Sequence, residues 1–194
     1  MQRITMISIA LLIGCSFSFS AMAQNETKKA DSIPFFTYSA AYEFLRSTHQ
    51  DFFNGPAVKI TRNLPGHFKP GIGIAYATTY QHHDNGLVLY NMKLLPVYTN
   101  LTYDFLSKSK FDPFIEASAG ITFVKYNQGT DEHPHETVPV KEQGLYLYTG
   151  FGLRYKVSKH FSPFVAAGFK GYHNSTNDLD INPHGITFQG GFRF

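Results

Sequence analysis

Apolar and polar residues alternate with a period of two along most of this chain. In residues 113–126, one parity carries Ile115, Ala117, Ala119, Ile121 and Phe123, and the other carries Glu116, Ser118, Gly120 and Thr122. Successive side chains of a β-strand point to opposite faces, whereas a helix would spread these residues over a period of 3.6. The pattern therefore predicts strands with one apolar and one mixed face.

The alternation predicts eight strands, at residues 35–46, 56–63, 69–80, 94–106, 113–126, 144–157, 163–173 and 185–194. Short turns near 64–67, 107–111 and 158–161 alternate with longer polar connections near 47–55, 81–93, 127–143 and 174–184. Three short turns lead into the related segments Phe68-Lys69-Pro70, Phe111-Asp112-Pro113 and Phe161-Ser162-Pro163. Proline is tolerated at the first residue of a strand, so the repeat marks successive hairpins of an up-and-down meander.

The last strand is apolar on one face, through Ile186, Phe188, Phe192 and Phe194. Such an apolar face must be in contact with lipid. Closure of the sheet into a barrel gives the backbone groups of every strand edge a hydrogen-bonding partner. We therefore predict an all-β fold, an eight-stranded antiparallel transmembrane β-barrel formed by residues 34–194, with its apolar face toward lipid and its mixed face inward.

The first residues are typical of an export signal. Arg3 precedes an apolar run from Ile4 to Phe19, and Ala21-Met22-Ala23 forms a cleavage site. We expect a signal peptide at 1–23 and a flexible leader at 24–33. Alternatively, Leu12-Ile13-Gly14-Cys15 forms a lipobox, and Cys15 then becomes a lipidated first residue.

Composition narrows the function classes. Charged residues make up 16% of the chain and the formal net charge is +3, without a clustered basic patch. We therefore do not expect the chain to bind nucleic acid. After cleavage at residue 23 no cysteine would remain, and we expect no cofactor.

The inward face of the predicted barrel carries charges. They are Glu43, Lys59, Asp104, Glu116, Arg154, Lys156, Lys170 and Arg193. An eight-stranded barrel is just wide enough inside for side chains, and an unpaired buried charge is costly. We expect these residues to form a paired plug. A narrow pore or small-ligand barrel is the alternative, and it requires the inward charges to be unpaired.

Histidines cluster in the predicted outer connections. His133 and His135 stand in Asp131-Glu132-His133-Pro134-His135-Glu136 and are candidate ligands for a transition metal. Their spacing matches no defined zinc motif, so a solvated polar loop is the competing interpretation and we predict no bound metal.

Leu101-Thr102-Tyr103-Asp104-Phe105, the segment Phe111–Gly120 and the ending Phe192-Arg193-Phe194 resemble the OmpA/OmpX-type small outer-membrane barrels of Gram-negative bacteria. The resemblance implies a monomer in the outer membrane with both termini in the periplasm. It also implies a non-catalytic envelope or surface-contact role, and contact with outer-membrane lipid and lipopolysaccharide. Phe192 and Phe194 would be the C-terminal signal read by the barrel-assembly machinery.

His173-Asn174-Ser175 resembles the His-x-Ser pair of the outer-membrane lipid A deacylase barrel. The resemblance implies an ester hydrolase in which Ser175 is the nucleophile and His173 the base. That family orients its histidine with a glutamate on the last strand. Here the matching position is Thr187, and the nearest acids are Asp178 and Asp180.

Overall fold

The computed structural model describes residues 34–84, 87–106, 109–130, 136–158, 160–173 and 182–194. The predicted signal peptide and leader, residues 1–33, lie outside the described residues. The strands are β1 (Phe36–Ser47), β2 (Phe52–Arg62), β3 (Phe68–Ala75), β4 (Ala77–Asp84), β5 (Leu87–Asp104), β6 (Phe111–Thr130), β7 (Val138–Tyr155), β8 (Ser162–His173) and β9 (His184–Arg193).

All strand pairs are antiparallel, and the sheet closes because β1 pairs with both β2 and β9. β3 and β4 follow each other with only Tyr76 between them, and both pair with β2 on one side and β5 on the other. Together they occupy one strand position in the barrel. The ring therefore has eight positions, which confirms the predicted eight-stranded meander.

The two faces of the sheet differ as the alternation predicts. Outward side chains along the middle of the strands are apolar and exposed, as Leu147, Phe151 and Val165 illustrate with 60–68% of their surface accessible. Inward neighbours such as Tyr148 and Phe164 are buried. An exterior of this kind needs lipid around it, because water would be in contact with a continuous apolar surface. Within the described part of the chain, no helix has the length and hydropathy to cross a membrane.

The barrel has two unlike ends. One end, here called the terminal end, carries Pro34, Phe194, Gly66, Phe105 and Phe161; the opposite end is called the loop end. β5, β6 and β7 have 18, 20 and 18 residues. An apolar band about 25 Å tall needs roughly 9–11 tilted residues per strand, so these strands extend beyond it at the loop end.

The predicted connections at 81–93 and 127–143 are therefore wrong over most of their length, because the structure continues β4, β5, β6 and β7 through them. Toward the loop end the alternation changes sense: Leu94 and Val124 are buried inside, whereas Lys93 and Lys125 are exposed outside. A bulge also obscures this part of β5 in the sequence. Asn91 has a φ of 52°, and the β5–β6 register shifts between Tyr90 and Lys93. A bulge interrupts the period of two from which a strand is predicted.

The lumen is divided along the barrel axis. Toward the loop end it is filled by one apolar and aromatic cluster, which includes Phe53, Leu89, Met92, Leu94, Val124, Tyr146 and Tyr172. Toward the terminal end it holds charged side chains. The sequence pattern predicts the charges in the lumen. It does not predict that apolar side chains fill the lumen toward the loop end.

Candidate functional site

The charged part of the lumen begins near the terminal end with a cluster around Arg154. Its guanidinium Nη1 donates to Asp104 at 3.2 Å and to Asp112 at 3.0 Å. Lys156 approaches the same Asp112 carboxylate at 3.1 Å. The guanidinium of Arg193 stands 3.8 Å from the carboxylate of Asp104. Arg154 and both acids are 5% exposed or less, so this cluster seals the barrel close to its turns.

A second layer crosses the middle of the barrel around Glu116. Lys59 forms an ion pair with its carboxylate, and the side-chain amide of Gln189 donates to it at 2.6 Å. Asn100 adds a longer bond at 3.4 Å. These partners come from β2, β9 and β5, whereas Glu116 stands on β6. The contacts therefore join four strands through one carboxylate.

A further ion pair joins Lys170 on β8 to Glu43 on β1. The Lys170 ammonium also lies 5.8 Å from the ring centroid of Tyr146 and 5.6 Å from that of Tyr148. A cation over aromatic faces is favourable when water is excluded. This pair forms the boundary between the charged layers and the apolar cluster above them.

The structure thus brings all eight predicted inward charges into the lumen and gives each an oppositely charged neighbour. Cavities beside them are small, and two of these have volumes of about 20 Å³ each. Such a cavity holds about one water molecule. Within the described residues, the lumen is occupied by side chains.

Two buried charges were not predicted. Asp112 is fully buried, and Lys69 is 8% exposed with its ammonium donating to the carbonyl of Leu64 at 2.9 Å. Both stand in the Phe-x-Pro repeat, which the sequence assigns to a turn or to the first residue of a strand. The available signal was parity, because Asp112 shares the inward parity of Phe114 and Glu116.

Two inward glycines make room for aromatic rings. A Cβ at Gly73 would lie 2.5 Å from the ring of Tyr98, and one at Gly152 would overlap the ring of Phe114. Each ring belongs to the residue directly opposite the glycine on the neighbouring strand. A narrow barrel can thus hold large side chains in successive layers.

The predicted hydrolase residues are only partly described. His173 ends β8 with an exposed side chain, and its Nδ1 lies 2.7 Å from Oδ1 of Asn182. Ser175, Asp178 and Asp180 lie outside the described residues. Thr187 is buried on the inner face and donates to the carbonyl of Phe44 at 2.8 Å. Position 187 therefore faces away from the outward His173, and in this structure an acid there would not orient the imidazole.

The candidate metal ligands His133 and His135 lie outside the described residues. Among the residues that are described, no three His, Cys, Asp or Glu side chains come together in a geometry that would hold a metal ion. His82 is buried, and its Nδ1 lies 2.6 Å from the Asp51 carboxylate. This contact joins β4 to the turn that follows β1.

The two predicted C-terminal signal residues are both on the exterior at the terminal end. The ring of Phe161 stacks on that of Phe192 with centroids 5.4 Å apart and lies 5.9 Å from that of Phe194. The backbone of Phe194 exchanges two hydrogen bonds with Tyr38, of 2.8 and 3.0 Å. The last residue therefore closes the ring against β1.

No protein-family model matches the sequence, and no curated protein sequence matches it. Solved structures do. The N-terminal β-barrel domain of Pseudomonas aeruginosa OprF is similar over 81% of this chain and 97% of its own, with 14% identity and a TM-score of 0.51. Neisserial surface protein A covers 81% and 94%, with 15% identity and a TM-score of 0.51. A major outer membrane protein from Thermus thermophilus covers 82% and 98%, with 10% identity and a TM-score of 0.52.

These likenesses concern the fold, since the identities are low. They agree with the closed antiparallel ring described above. The chain has the fold of the small outer-membrane β-barrel proteins, of the OmpA/OmpX type, and it has the exterior of a barrel that spans a membrane.

Proposed function

We propose that the chain is an integral outer-membrane barrel with a non-catalytic role, either in envelope integrity or in surface contact through its loop end. The terminal end would face the periplasm and the loop end the exterior. The observation that carries this proposal is the filled lumen, in which the ion pairs Lys59–Glu116 and Lys170–Glu43 join strands that are not neighbours in the sheet. A barrel filled in this way is suited to a rigid support and poorly suited to transport.

The long hairpin of β6 and β7 provides a way to separate the two roles. A cell that lacks the protein would be compared with cells that carry the full chain or a chain in which residues 127–139 are replaced by a two-residue turn. If the role is envelope integrity, both chains restore resistance to bulky antibiotics and detergents. If the role is surface contact, only the full chain restores attachment. Discrete conductance steps in planar bilayers would contradict the proposal and favour the narrow pore.

A second candidate function is ester hydrolysis of an outer-leaflet lipid by His173 and Ser175. The contact between His173 Nδ1 and Asn182 Oδ1 supports it, because an amide oxygen can select the tautomer in which Nε2 acts as base, as in cysteine proteases with an asparagine. Mass spectrometry of lipid A tests this function. Loss of one acyl chain that requires both His173 and Ser175 would establish it. Identical lipid A with and without the protein would remove it.

A further inference from the structure

Charges on the outer face of the barrel all have one sign wherever the structure describes the strand side chains. The outward charged residues are Arg46, Arg62, Lys93, Lys125 and Lys141. The carboxylates of the described strand side chains lie on the inner-face parity, namely Glu43, Asp104, Asp112, Glu116 and Glu142. Among the described strand side chains, carboxylates therefore lie only on the inner face, whereas cations lie on both faces and are the only charges on the outer face.

Three of these cations form a row across three neighbouring strands. Lys93 on β5 is directly opposite Lys125 on β6, and Lys125 is directly opposite Lys141 on β7. Directly opposite residues point to the same face, with Cβ atoms about 4.5–5.5 Å apart. All three side chains are exposed, and none has an ion pair or hydrogen bond to another described side chain. The row concentrates three positive charges within roughly 10 Å, which is two strand spacings.

The row stands where the exterior changes from apolar to polar. Two residues toward the terminal end, Leu95 and Phe123 are paired with each other and 39% and 48% exposed on the lipid-facing wall. Two residues toward the loop end, Asn127 is paired with Pro139. Tyr76 and Tyr80 are exposed on the adjacent strand position, which β3 and β4 form together. Exposed tyrosines are typical of the membrane–water interface. The lysines therefore lie at the depth of lipid headgroups.

Like charges placed directly opposite each other destabilise a sheet unless an anion lies between them. We propose that Lys93, Lys125 and Lys141 bind the phosphate groups of an outer-leaflet lipid headgroup, of the bisphosphorylated glycolipid class. A lipid is favoured over a free phosphate because its acyl chains would lie along Leu95 and Phe123 below the row. This inference rests on the proposed placement of the loop end at the outer leaflet.

The test uses the full-length protein in a zwitterionic detergent, with bound lipid counted by native mass spectrometry. The probes are bisphosphorylated lipid A, lipid A from which both phosphates have been removed, and inorganic pyrophosphate. Each lysine near a charged lipid surface contributes about 1 kcal/mol, which is about a fivefold change in affinity. We expect Lys125→Gln to weaken binding of bisphosphorylated lipid A about fivefold, and the triple glutamine variant about a hundredfold.

Lys110→Gln is the matched control, because Lys110 is also exposed but stands at the terminal end. It should bind as the wild type does. Folding of each variant is checked by circular dichroism, and in the absence of anionic lipid Lys125→Gln should raise the urea midpoint because the like-charge contacts are gone. Equal lipid A binding by the wild type and the triple variant would overturn the inference.

Two further outcomes are separable. Pyrophosphate that binds as tightly as bisphosphorylated lipid A would overturn the assignment to a lipid. Failure of the wild type to insert into phosphatidylcholine vesicles would contradict the proposed membrane function, and the lysine site would be withdrawn with it. Insertion together with unchanged binding would overturn the lysine site and leave the barrel function standing.

Discussion

Single carboxylates hold the interior together, and Glu116 is the clearest example. Its side chain is 2% exposed, and it receives an ion pair from Lys59 and hydrogen bonds from Gln189 and Asn100. A buried charge of this kind is tolerated because each oxygen has a donor. The same argument applies to Asp112 beneath Arg154 and Lys156.

Glu116→Leu should lower the free energy of unfolding by about 3–5 kcal/mol, because it leaves the Lys59 ammonium without its counter-charge in a confined interior. The double variant Lys59→Met/Glu116→Leu removes both charges and should recover most of this loss. Urea unfolding in detergent micelles measures both. A double variant as unstable as the single one would show that packing, and not the ion pair, dominates at this position.

Gly120 on β6 stands where the strand lies close to the backbone of β5. An added Cβ there would overlap the carbonyl oxygen of Val97 and lie 2.6 Å from Cα of Tyr98, whereas one at Gly190 would meet no atom within 4 Å. We expect Gly120→Ala to cost about 1–3 kcal/mol in unfolding free energy through overpacking. Gly190→Ala is the control, and it should be neutral or slightly stabilising. Equal effects of the two substitutions would contradict the close approach.

At the scale of elements, the strands have two environments along their length. The middle of β7 is apolar on its outer face, whereas its first residues stand beyond the lipid-facing wall. Leu147 and Pro139 are both exposed and share the outward parity of this one strand. They are separated by roughly 27 Å along the strand, at about 3.4 Å per residue. Exposure alone therefore does not distinguish contact with lipid from contact with water.

Spin labels at these two positions should distinguish the environments. In phospholipid vesicles, a label at Leu147 should collide more with oxygen, which concentrates in lipid, because the structure places it on the mid-barrel wall. A label at Pro139, on the same outward parity, should collide more with a water-soluble nickel chelate. Accessibility measured by power saturation checks both. A lipid-like signal at Pro139 would mean that β6 and β7 do not rise above the membrane.

For the whole molecule, the decisive feature is closure of the ring. β1 pairs with β9 from Ser39 to Ser47, and Phe194 extends this seam through its two backbone hydrogen bonds with Tyr38. Closure leaves no unpaired strand edge in the membrane, where an unsatisfied backbone group is costly. The rings of Phe161, Phe192 and Phe194 cover the seam at the terminal end.

Phe194→Ala keeps the backbone seam and loses only the ring contact, so the refolded barrel should be less stable by about 0.5–1.5 kcal/mol. Deletion of residue 194 removes the two hydrogen bonds as well and should cost more. The heat-modified mobility of the barrel on gels reports the folded fraction. If the terminal aromatic is a signal for assembly, Phe194→Ala should reduce the folded fraction in cells far more than in refolding. Equal reductions would contradict the signal.

The sequence by itself determined the strand class, the up-and-down order and the face of each residue in the membrane band, because a period of two against lipid is unambiguous. It also determined most of the charges that point inward, such as Glu43 and Lys170, but not Asp112 and Lys69. It did not determine their partners, since Glu43 and Lys170 are 127 residues apart in the chain and meet only across the closed ring. It also missed the parts of β5, β6 and β7 nearest the loop end, where the apolar face turns inward. On β5, the bulge at Asn91 also interrupts the alternation. The row of Lys93, Lys125 and Lys141 depends on strand register, which hydrogen bonding between distant segments decides and which no local pattern specifies.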